Sequence, residues 1–209
     1  MKRIVFCDFD GTITAEETFV AVLKEFAPEV SAELMPQMYA RTLSLREGVR
    51  KILESIPSAH YGEILEFSRN KAICPGFTEF LDFLATKDIP LIIVSGGLRG
   101  IVETVLGDLT QRVQAIYAVD VDTSGEYLKV YSEFEADTEL VAKVKVIEKY
   151  GADENIAIGD SVTDLNMALH TPLVFAKAPL CRYLQEHKKP YFPWDDFFQV
   201  GDRLVYLWK

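Results

Sequence analysis

The feature that most constrains the fold is a set of short apolar runs that alternate with helical patterns. The runs occupy residues 4–7, 90–94, 155–158 and 172–175. Runs that are apolar throughout are typical of strands buried on both faces of a parallel sheet. Such strands, when helices separate them, form layered α/β domains. The sequence therefore predicts a Rossmann-like, doubly wound parallel sheet.

Residues 15–72 interrupt this alternation, because they carry helical patterns and no good strand. Ser44 and Glu47 have the form of a capping box, which predicts the start of a helix. We therefore expect an α-helical insertion at 15–72 within a core domain made of residues 1–14 and 73–209.

Further elements are predicted in the core. Residues 116–122 and 127–131 favour β-structure, and the turn chemistry at 123–126 predicts a small β-hairpin. Residues 138–150 carry a helical pattern. Residues 95–97 are polar and glycine-rich and predict a turn at the end of the strand 90–94.

The charge of the chain limits its partners. The formal net charge is -10 at pH 7, and nucleic-acid binding depends on Lys and Arg that neutralise phosphates, so we expect no nucleic-acid partner. No apolar run approaches the roughly 20 residues that span a bilayer, so we expect no membrane partner.

The cysteines and the N-terminal residues bear on location. Cys7, Cys74 and Cys181 lack metal-like spacing and no secretory signal is evident, which predicts a cytoplasmic location.

Acidic residues follow two of the predicted strands. Asp8 and Asp10 come directly after the run 4–7, and Asp160 and Asp164 follow the run 155–158. Open α/β sheets bind ligands at the carboxyl ends of their strands, so we expect these carboxylates to converge. Their mutual repulsion would raise their pKa values and weaken the fold unless a cation compensated it. Oxygen ligands of this kind suit Mg²⁺, which the sequence therefore predicts as a cofactor.

Donors for an anionic ligand are predicted at the same edge of the sheet. Ser95 and Gly96 follow the run 90–94, and Lys143 lies near the start of a helix. Backbone N–H groups and a lysine are the donors that the oxygens of a phosphoryl group require. Lys145 is the alternative lysine, and counting back from Gly159 and Asp160 favours Lys143. Because the two point to different faces of the helix, only one can reach the site.

The order of these motifs resembles the signature of the haloacid-dehalogenase-type phosphatase superfamily. The matching residues, in chain order, are Asp8-Phe9-Asp10-Gly11-Thr12, Ser95, Lys143, Asp160 and Asp164. The resemblance implies that Asp8 is a nucleophile that becomes an aspartyl-phosphate. It also implies that Asp10 is the general acid and then the general base, with a pKa raised by its like-charged neighbour.

The resemblance further implies a set of ligands. Mg²⁺ would be held by the carboxylates of Asp8 and Asp160 and by the backbone carbonyl of Asp10. Asp164 would orient the waters of the metal or Lys143, and Ser95 would donate to the phosphoryl oxygens. The implied activity is that of a phosphomonoesterase acting on a small phosphorylated metabolite.

The helical insertion resembles the cap of the phosphoserine-phosphatase branch, which covers the site and selects the leaving group. In that branch a glutamate near the cap meets the substrate, and Glu17 occupies its place, with Glu16 as the alternative. The alternative role for Glu17 is that of a solvated carboxylate at a helix start. Arg46 and Arg50 are candidates for substrate contact, and the alternative is an exposed helix face.

Nearly the whole chain also resembles the methionine-salvage phosphatase family, which acts on 2-hydroxy-3-keto-5-methylthiopentenyl-1-phosphate. The resemblance is carried by segments 26–28, 42–49 and 158–164. Residues 132–141 depart from it, because they are acidic and lack the cysteines that this family can carry there. Phosphoserine or another small metabolite therefore stays an alternative substrate.

A non-enzymatic phosphoacceptor or binding domain is the alternative from another functional class. Response-regulator receivers also combine acidic residues, Mg²⁺, a hydroxyl and a lysine. They are shorter, however, and have no helical insertion after the phosphoacceptor strand. The presence of both Asp10 and Asp160 favours catalysis over binding alone. For the oligomeric state, we expect a monomer or a homodimer.

Overall fold

A seven-stranded sheet forms the centre of the molecule in the computed structural model, which describes residues 2–40 and 42–209. The strands are β1 (Arg3–Cys7), β2 (Leu91–Leu98), β3 (Ala115–Asp122), β4 (Lys129–Tyr131), β5 (Glu154–Gly159), β6 (Leu173–Ala176) and β7 (Phe192–Pro193). Their order in the sheet is β4-β3-β2-β1-β5-β6-β7. All neighbouring pairs are parallel except β3 and β4. The predicted α/β class with a parallel, doubly wound sheet is confirmed.

Strand β1 lies in the middle of the sheet. Val5 pairs with Leu91 of β2 on one side and with Ile156 of β5 on the other. Ile4 to Cys7 are at most 1% exposed. Because the strand is covered on both faces and both edges, each of these positions must be apolar.

Helices cover the sheet and form the insertion. Within the described residues they are α1 (Thr18–Phe26), α2 (Pro28–Tyr39), α3 (Leu45–Leu53), α4 (Tyr61–Ser68), α5 (Phe77–Ala85), α6 (Arg99–Leu106), α7 (Lys143–Lys149), α8 (Leu165–His170), α9 (Leu180–Glu186) and α10 (Phe197–Leu207). Over residues 15–40 and 42–72, helices α1 to α4 follow one another with no strand between them, as the sequence predicts for the insertion. The Ser44 side chain caps α3 by accepting the N–H of Glu47 at 3.2 Å.

The two connections between the core and the helical insertion run side by side. Thr14 pairs with Ile73 in an antiparallel bridge, and the N–H of Cys74 donates to the carbonyl of Ile13 at 2.7 Å. This pairing supports a division of the chain into residues 1–14 and 73–209 on one side and 15–72 on the other, which stays a prediction.

The predicted hairpin is present, but its second strand is shorter than predicted. It begins at Lys129 rather than at residue 127. The reason is a contact with the insertion, because the N–H of Leu128 donates to the carbonyl of Ile56 at 3.0 Å. Residues 127 and 128 are therefore bound to the turn that follows α3, and the pairing with β3 covers Lys129–Tyr131.

Two other predictions are wrong: the start of one helix, and the conformation of one glycine-rich segment. The predicted helix at 138–150 begins only at Lys143, because the N–H of Ala142 donates to the carbonyl of Phe134 at 2.8 Å and holds the preceding segment as a loop. The predicted turn at 95–97 is extended instead. Strand β2 continues through it to Leu98, after an irregularity in its pairing with β3.

The structure also bears on membrane insertion. Over residues 2–40 and 42–209, no helix has the length and apolar character needed to cross a bilayer.

Candidate active site

Asp8 and Asp10 lie where β1 ends, and their carboxylates have different neighbours. The N–H of Asp8 donates to the carbonyl of Ile158 at 2.9 Å and extends the pairing of β1 with β5. The Oδ1 of Asp10 accepts the N–H of Phe19, in the first turn of α1, at 2.9 Å. Asp8 is buried among core residues, whereas Asp10 faces the helical insertion.

Gly11 lets the chain turn after β1, on its way to the helical insertion. Its φ of +76° lies in the left-handed region that favours glycine. A Cβ at this position would lie 2.5 Å from Oδ2 of Asp160, so the close approach also requires glycine. The neighbouring Thr12 donates its Oγ1 hydroxyl to Oδ1 of Asp160 at 3.3 Å. The turn after β1 is thereby fixed against the loop after β5.

Asp160 and Asp164 join Asp8 in a buried acidic cluster. One carboxylate oxygen of each residue lies within 4.8 Å of the corresponding oxygens of the other two. Carboxylate oxygens at this spacing fit a hard divalent cation, which takes oxygen ligands. The carboxylate of Asp10 is bound by Phe19, and the predicted metal ligand from Asp10 is its backbone carbonyl.

Lys143 lies within the acidic cluster. Its Nζ donates to Oδ1 of Asp8 at 2.5 Å and to Oδ1 of Asp164 at 2.6 Å, and its side chain is 3% exposed. Lys145 lies on another face of α7, where its Nζ donates to the carbonyl of Glu135 at 3.1 Å. Of the two lysines that the sequence offered, Lys143 is the one that the structure brings to Asp8.

Asp164 holds both Lys143 and the loop that follows β5. One of its oxygens binds Lys143, and the other accepts the N–H groups of Asp160 at 3.0 Å and Ser161 at 3.1 Å. Its carboxylate lies so close to Gly159 that a Cβ there would be 2.6 Å from Oδ2 of Asp164. Asp164 thus positions the groups around Asp8 and Asp160.

Burial dominates the electrostatics of Asp10. Burial raises the pKa of Asp10 to about 7, the hydrogen bond from Phe19 opposes this rise, and repulsion from Asp8 adds to it. The family resemblance implied that the charge of Asp8 raises the pKa of Asp10. In the structure that repulsion contributes, but burial is the larger cause.

The buried cluster carries more negative charge than its lysine compensates. Burial, followed by repulsion from Asp164, raises the pKa of Asp8 to about 6, although Lys143 lowers it. Burial, followed by repulsion from Asp8, raises the pKa of Asp160 to about 9. Burial acts to lower the pKa of Lys143, but Asp164 and Asp8 outweigh it and hold that pKa above its ordinary value. A bound divalent cation would offset the remaining negative charge.

Ser95 and Gly96 lie at the same edge of the sheet, on the strand next to β1. Ser95 is buried, and its Oγ accepts the N–H of Gly97 at 3.1 Å, whereas Gly96 is exposed. Phe19 of α1 packs over Gly97, where a Cβ would lie 3.3 Å from Cγ of the phenylalanine. Because Cys7 pairs with Ile93, Ser95 and Gly96 lie on the strand next to Asp8, just beyond the paired residues. Gly97 lies beneath Phe19 of the first helix of the insertion.

Glu17 and Glu16 lie at the entrance to α1. Glu17 is exposed and precedes the first residue of the helix. Its charge is among the smaller causes that raise the pKa of Asp10, after burial. Glu16 contributes its backbone, since its carbonyl accepts the hydroxyl of Thr14 at 2.7 Å. Glu17 is therefore placed near Asp10 at the edge of the insertion.

Arg46 and Arg50 are placed against an acidic side chain of the core. Nε of Arg46 donates to Oε1 of Glu135, and Nη2 of Arg50 donates to Oε2 of Glu135 at 2.8 Å. The sequence offered these arginines as substrate contacts or as an exposed helix face. The structure shows a third arrangement, an ion pair between the insertion and the core.

Lys177 is a further basic residue at this edge of the sheet, and the sequence analysis did not identify it as part of the site. Its Nζ donates to the carbonyl of Gly11 at 3.3 Å and lies 4.1 Å from the centre of the Trp194 ring. It directly follows β6, and this position could have identified it, because functional groups gather at the carboxyl ends of parallel strands.

Relatives resemble this chain over nearly its full length. A Microcystis aeruginosa protein named 2-hydroxy-3-keto-5-methylthiopentenyl-1-phosphate phosphatase is 58% identical, covering 98% of this chain and 99% of that protein. A protein of the same name from Geobacillus kaustophilus is 35% identical, covering 97% of this chain and 96% of that protein. The similarity therefore spans both the core and the helical insertion.

Solved structures resemble the fold as a whole. A substrate-bound phosphoserine phosphatase superposes with a TM-score of 0.71 at 19% identity, covering 97% of this chain and 98% of that one. A phosphoserine phosphohydrolase-like protein from Francisella tularensis gives 0.73 at 20% identity, covering 97% and 99%. At such identities the likeness shows the fold, and it confirms the predicted phosphoserine-phosphatase-like architecture.

The sequence profile of the haloacid dehalogenase-like hydrolases matches residues 5–169. This range includes Asp8, Ser95, Lys143 and the pair Asp160 and Asp164, the residues from which the family was predicted. The prediction is confirmed, and the chain belongs to the haloacid dehalogenase-like hydrolases.

Proposed function

We propose that this protein is a Mg²⁺-dependent phosphomonoesterase that hydrolyses 2-hydroxy-3-keto-5-methylthiopentenyl-1-phosphate. The observation that carries the chemistry is the buried Asp8, bound by Lys143 at 2.5 Å, with the second carboxyl Asp10 facing the insertion. The choice of substrate rests on relatives of that name that match nearly the whole chain at 58% and 35% identity.

In the first step, a carboxylate oxygen of Asp8 attacks the phosphorus atom of the ester. The bond to the leaving oxygen breaks as the acyl-phosphate bond to Asp8 forms. Asp10, with a pKa raised to about 7 by burial above all, donates its proton to the leaving oxygen. A pKa near neutrality suits a group that must give and take a proton in turn.

In the second step, a water molecule attacks the phosphorus of the aspartyl-phosphate. Asp10, now ionised, takes a proton from that water, and the bond between phosphorus and Asp8 breaks. Orthophosphate leaves, and both carboxyl groups return to their starting states. Splitting one difficult displacement into two easier ones is the advantage of a covalent intermediate.

The remaining polar groups of the site would hold the phosphoryl oxygens and the metal. Lys143, the hydroxyl of Ser95 and the N–H of Gly96 would donate to the oxygens as charge develops on them. The carboxylates of Asp8 and Asp160 and the carbonyl of Asp10 would hold Mg²⁺, which when bound offsets the negative charge of reactants and site. Asp164 would keep Lys143 in place.

The helical insertion would act as a cap that covers the site. Phe19 supports this role, because it contacts both Asp10 through its N–H at 2.9 Å and Gly97 through its ring. Glu17 would meet the leaving group at the edge of the cap. The proposal includes a cytoplasmic location and a monomeric or homodimeric state.

A substrate comparison tests the proposal. The purified protein should hydrolyse the methylthio enol phosphate with Mg²⁺ at a higher kcat/KM than phosphoserine or p-nitrophenyl phosphate, and EDTA should abolish turnover. A preference for phosphoserine would overturn the substrate assignment. Equal and slow hydrolysis of every ester would overturn it as well.

A further inference from the structure

A continuous line of contacts joins the cap to the core away from the two connecting segments. We call it the cap seam and define it as residues 45–58 of the cap against residues 126–138 of the core. At its hairpin end, the N–H of Ser58 donates to the carbonyl of Glu126 at 2.9 Å. The N–H of Leu128 adds its contact to Ile56 nearby. Backbone hydrogen bonds thus fix the turn after α3 to the hairpin.

Glu135 forms the other end of the cap seam. Both of its carboxylate oxygens are used, one by Nε of Arg46 and the other by Nη2 of Arg50. The N–H of Arg46 also donates to the carbonyl of Thr138 at 2.9 Å. The Glu135 side chain is 23% exposed, and two guanidinium groups on one partly shielded carboxylate make a firmer contact than an isolated surface pair.

The segment that carries Glu135 is itself fixed to the core. The N–H of Ala142 donates to the carbonyl of Phe134, and the carbonyl of Glu135 accepts Nζ of Lys145. The segment then leads directly into α7, whose first residue is Lys143. Glu135 therefore lies on a segment that is hydrogen-bonded to the core and continuous with the edge of the sheet that carries the site.

Contacts within the cap lead from Glu135 to Asp10. Gly48 of α3 packs so closely on Met38 of α2 that any Cβ at Gly48 would overlap the methionine. Ser31 of α2 donates its hydroxyl to the carbonyl of Leu23 of α1 at 2.7 Å. Helix α1 in turn supplies the N–H that binds Asp10. A shift of α3 at the seam would therefore displace the helices that line the site.

We propose that Glu135 is a positioning residue for the reaction. By pairing with Arg46 and Arg50 it holds α3 against the core, and so keeps the cap in the position that binds the leaving group. Its kinetic consequence rests on the proposed function, whereas the contact itself can be measured without turnover.

The competing account is that Arg46 and Arg50 contact the substrate directly. It predicts a change of KM in the opposite direction when Glu135 is removed. If Glu135 only occupied the arginines in the absence of substrate, its removal would release them and lower KM. If Glu135 positions α3, its removal raises KM, and the Arg46→Gln variant does the same. The two losses then do not add in the double variant, because both remove one contact.

Amide hydrogen exchange tests the contact, with Glu133→Gln as the matched control for Glu135→Gln. Glu133 lies on the same segment and pairs with Lys149 of the core at 3.2 Å. Exchange over Leu45–Leu53 should be about 3- to 10-fold faster in Glu135→Gln, from loss of a contact of about 1 kcal/mol. It should be unchanged in Glu133→Gln. Equal exchange in both variants would overturn the proposal.

Kinetics on the same proteins complete the test. KM for the methylthio enol phosphate should rise several-fold in Glu135→Gln with a smaller change in kcat, and a lower KM would overturn the positioning role. If the wild-type protein hydrolysed no phosphate ester, the proposed function would fail, while the exchange measurement would still decide whether Glu135 holds α3.

Discussion

The Nζ of Lys143 lies 2.5 Å from Oδ1 of Asp8, and both side chains are buried. Asp164 holds the same nitrogen from the other side at 2.6 Å. One cation thus compensates two carboxylates in a part of the protein from which water is largely excluded. Removing a partner from a buried ion pair is costly, because it leaves a charge without compensation.

The Lys143→Met variant should lose both activity and stability. Without the ammonium group, Asp8 and Asp164 repel one another, and the phosphoryl oxygens lose a donor. We expect kcat to fall by about 100-fold or more and the free energy of unfolding to fall by about 3–5 kcal/mol. Steady-state kinetics and urea unfolding measure the two effects.

The matched control is Lys145→Met, two residues further along the same helix. Lys145 donates to the carbonyl of Glu135 and is exposed, so kcat should stay within about twofold of wild type and stability within about 0.5 kcal/mol. A loss of kcat in Lys145→Met as large as in Lys143→Met would contradict the assignment of Lys143.

The Asp10→Asn variant should separate substrates by their leaving groups. Asparagine can still accept the N–H of Phe19, so the fold should be kept, but it cannot donate a proton to the leaving oxygen. We expect kcat/KM, which reports only the steps up to phosphorylation of Asp8, to fall by about 10²- to 10⁴-fold for an alkyl or enol phosphate. The loss should be smaller for p-nitrophenyl phosphate, whose leaving group needs no proton. Equal losses for both substrates would argue against Asp10 as the acid.

Substitution of Gly11 should be far more damaging than substitution of a glycine in an open position. Gly11→Ala places a Cβ 2.5 Å from Oδ2 of Asp160 at a φ of +76°. We expect a loss of at least about 1–2 kcal/mol in the free energy of unfolding, and a higher Mg²⁺ concentration should be needed for half-maximal activity. Gly62 of α4 is exposed, and nothing lies within 4 Å of a Cβ added there. Gly62→Ala should therefore stabilise the protein by up to about 1 kcal/mol. Similar melting temperatures for the two variants would contradict this account.

The contribution of Glu135 to stability should depend on pH in a defined direction. Burial acts to raise the pKa of Glu135, but the hydrogen bonds and charges of Arg46 and Arg50 outweigh it and hold the pKa below its ordinary value of 4.5. A depressed pKa means that the stabilisation is fully present above pH 4.5 and is lost as the pH falls below it. The stability difference between wild type and Glu135→Gln should therefore be present at pH 7 and shrink below pH 4.5. A difference that grows on acidification would contradict the ion pair.

The sheet and the position of the acidic residues could be predicted from the sequence because both depend on local patterns. A strand buried on both faces must be apolar throughout, as at Ile4 to Cys7, and the residues that end it must then meet at one edge. The spacing to Gly159 and Asp160 favoured Lys143 over Lys145, and the two point to different faces of the helix, so only one could reach the site. The start of α7 was predicted at residue 138 and lies at Lys143, which puts Lys143 in the first turn.

Other features depend on contacts between distant residues, and no local pattern indicates them. The loop before α7 is set by the hydrogen bond between Ala142 and Phe134, although its residues also suit a helix. Glu135 is 89 residues from Arg46 in the chain, so the sequence offered the arginine for substrate binding without showing its partner. Burial as the leading cause of the raised pKa of Asp10 likewise depends on how the cap packs over the strand ends.

Trapping the covalent intermediate tests the central claim most directly. The enzyme is mixed with substrate and Mg²⁺, quenched in acid during the first turnover, and mapped by mass spectrometry. We predict a phosphoryl group on the peptide that contains Asp8, formed at least as fast as kcat and missing in the Asp8→Asn variant. Turnover without phosphorylation of Asp8, or with the phosphoryl group on another residue, would contradict the account.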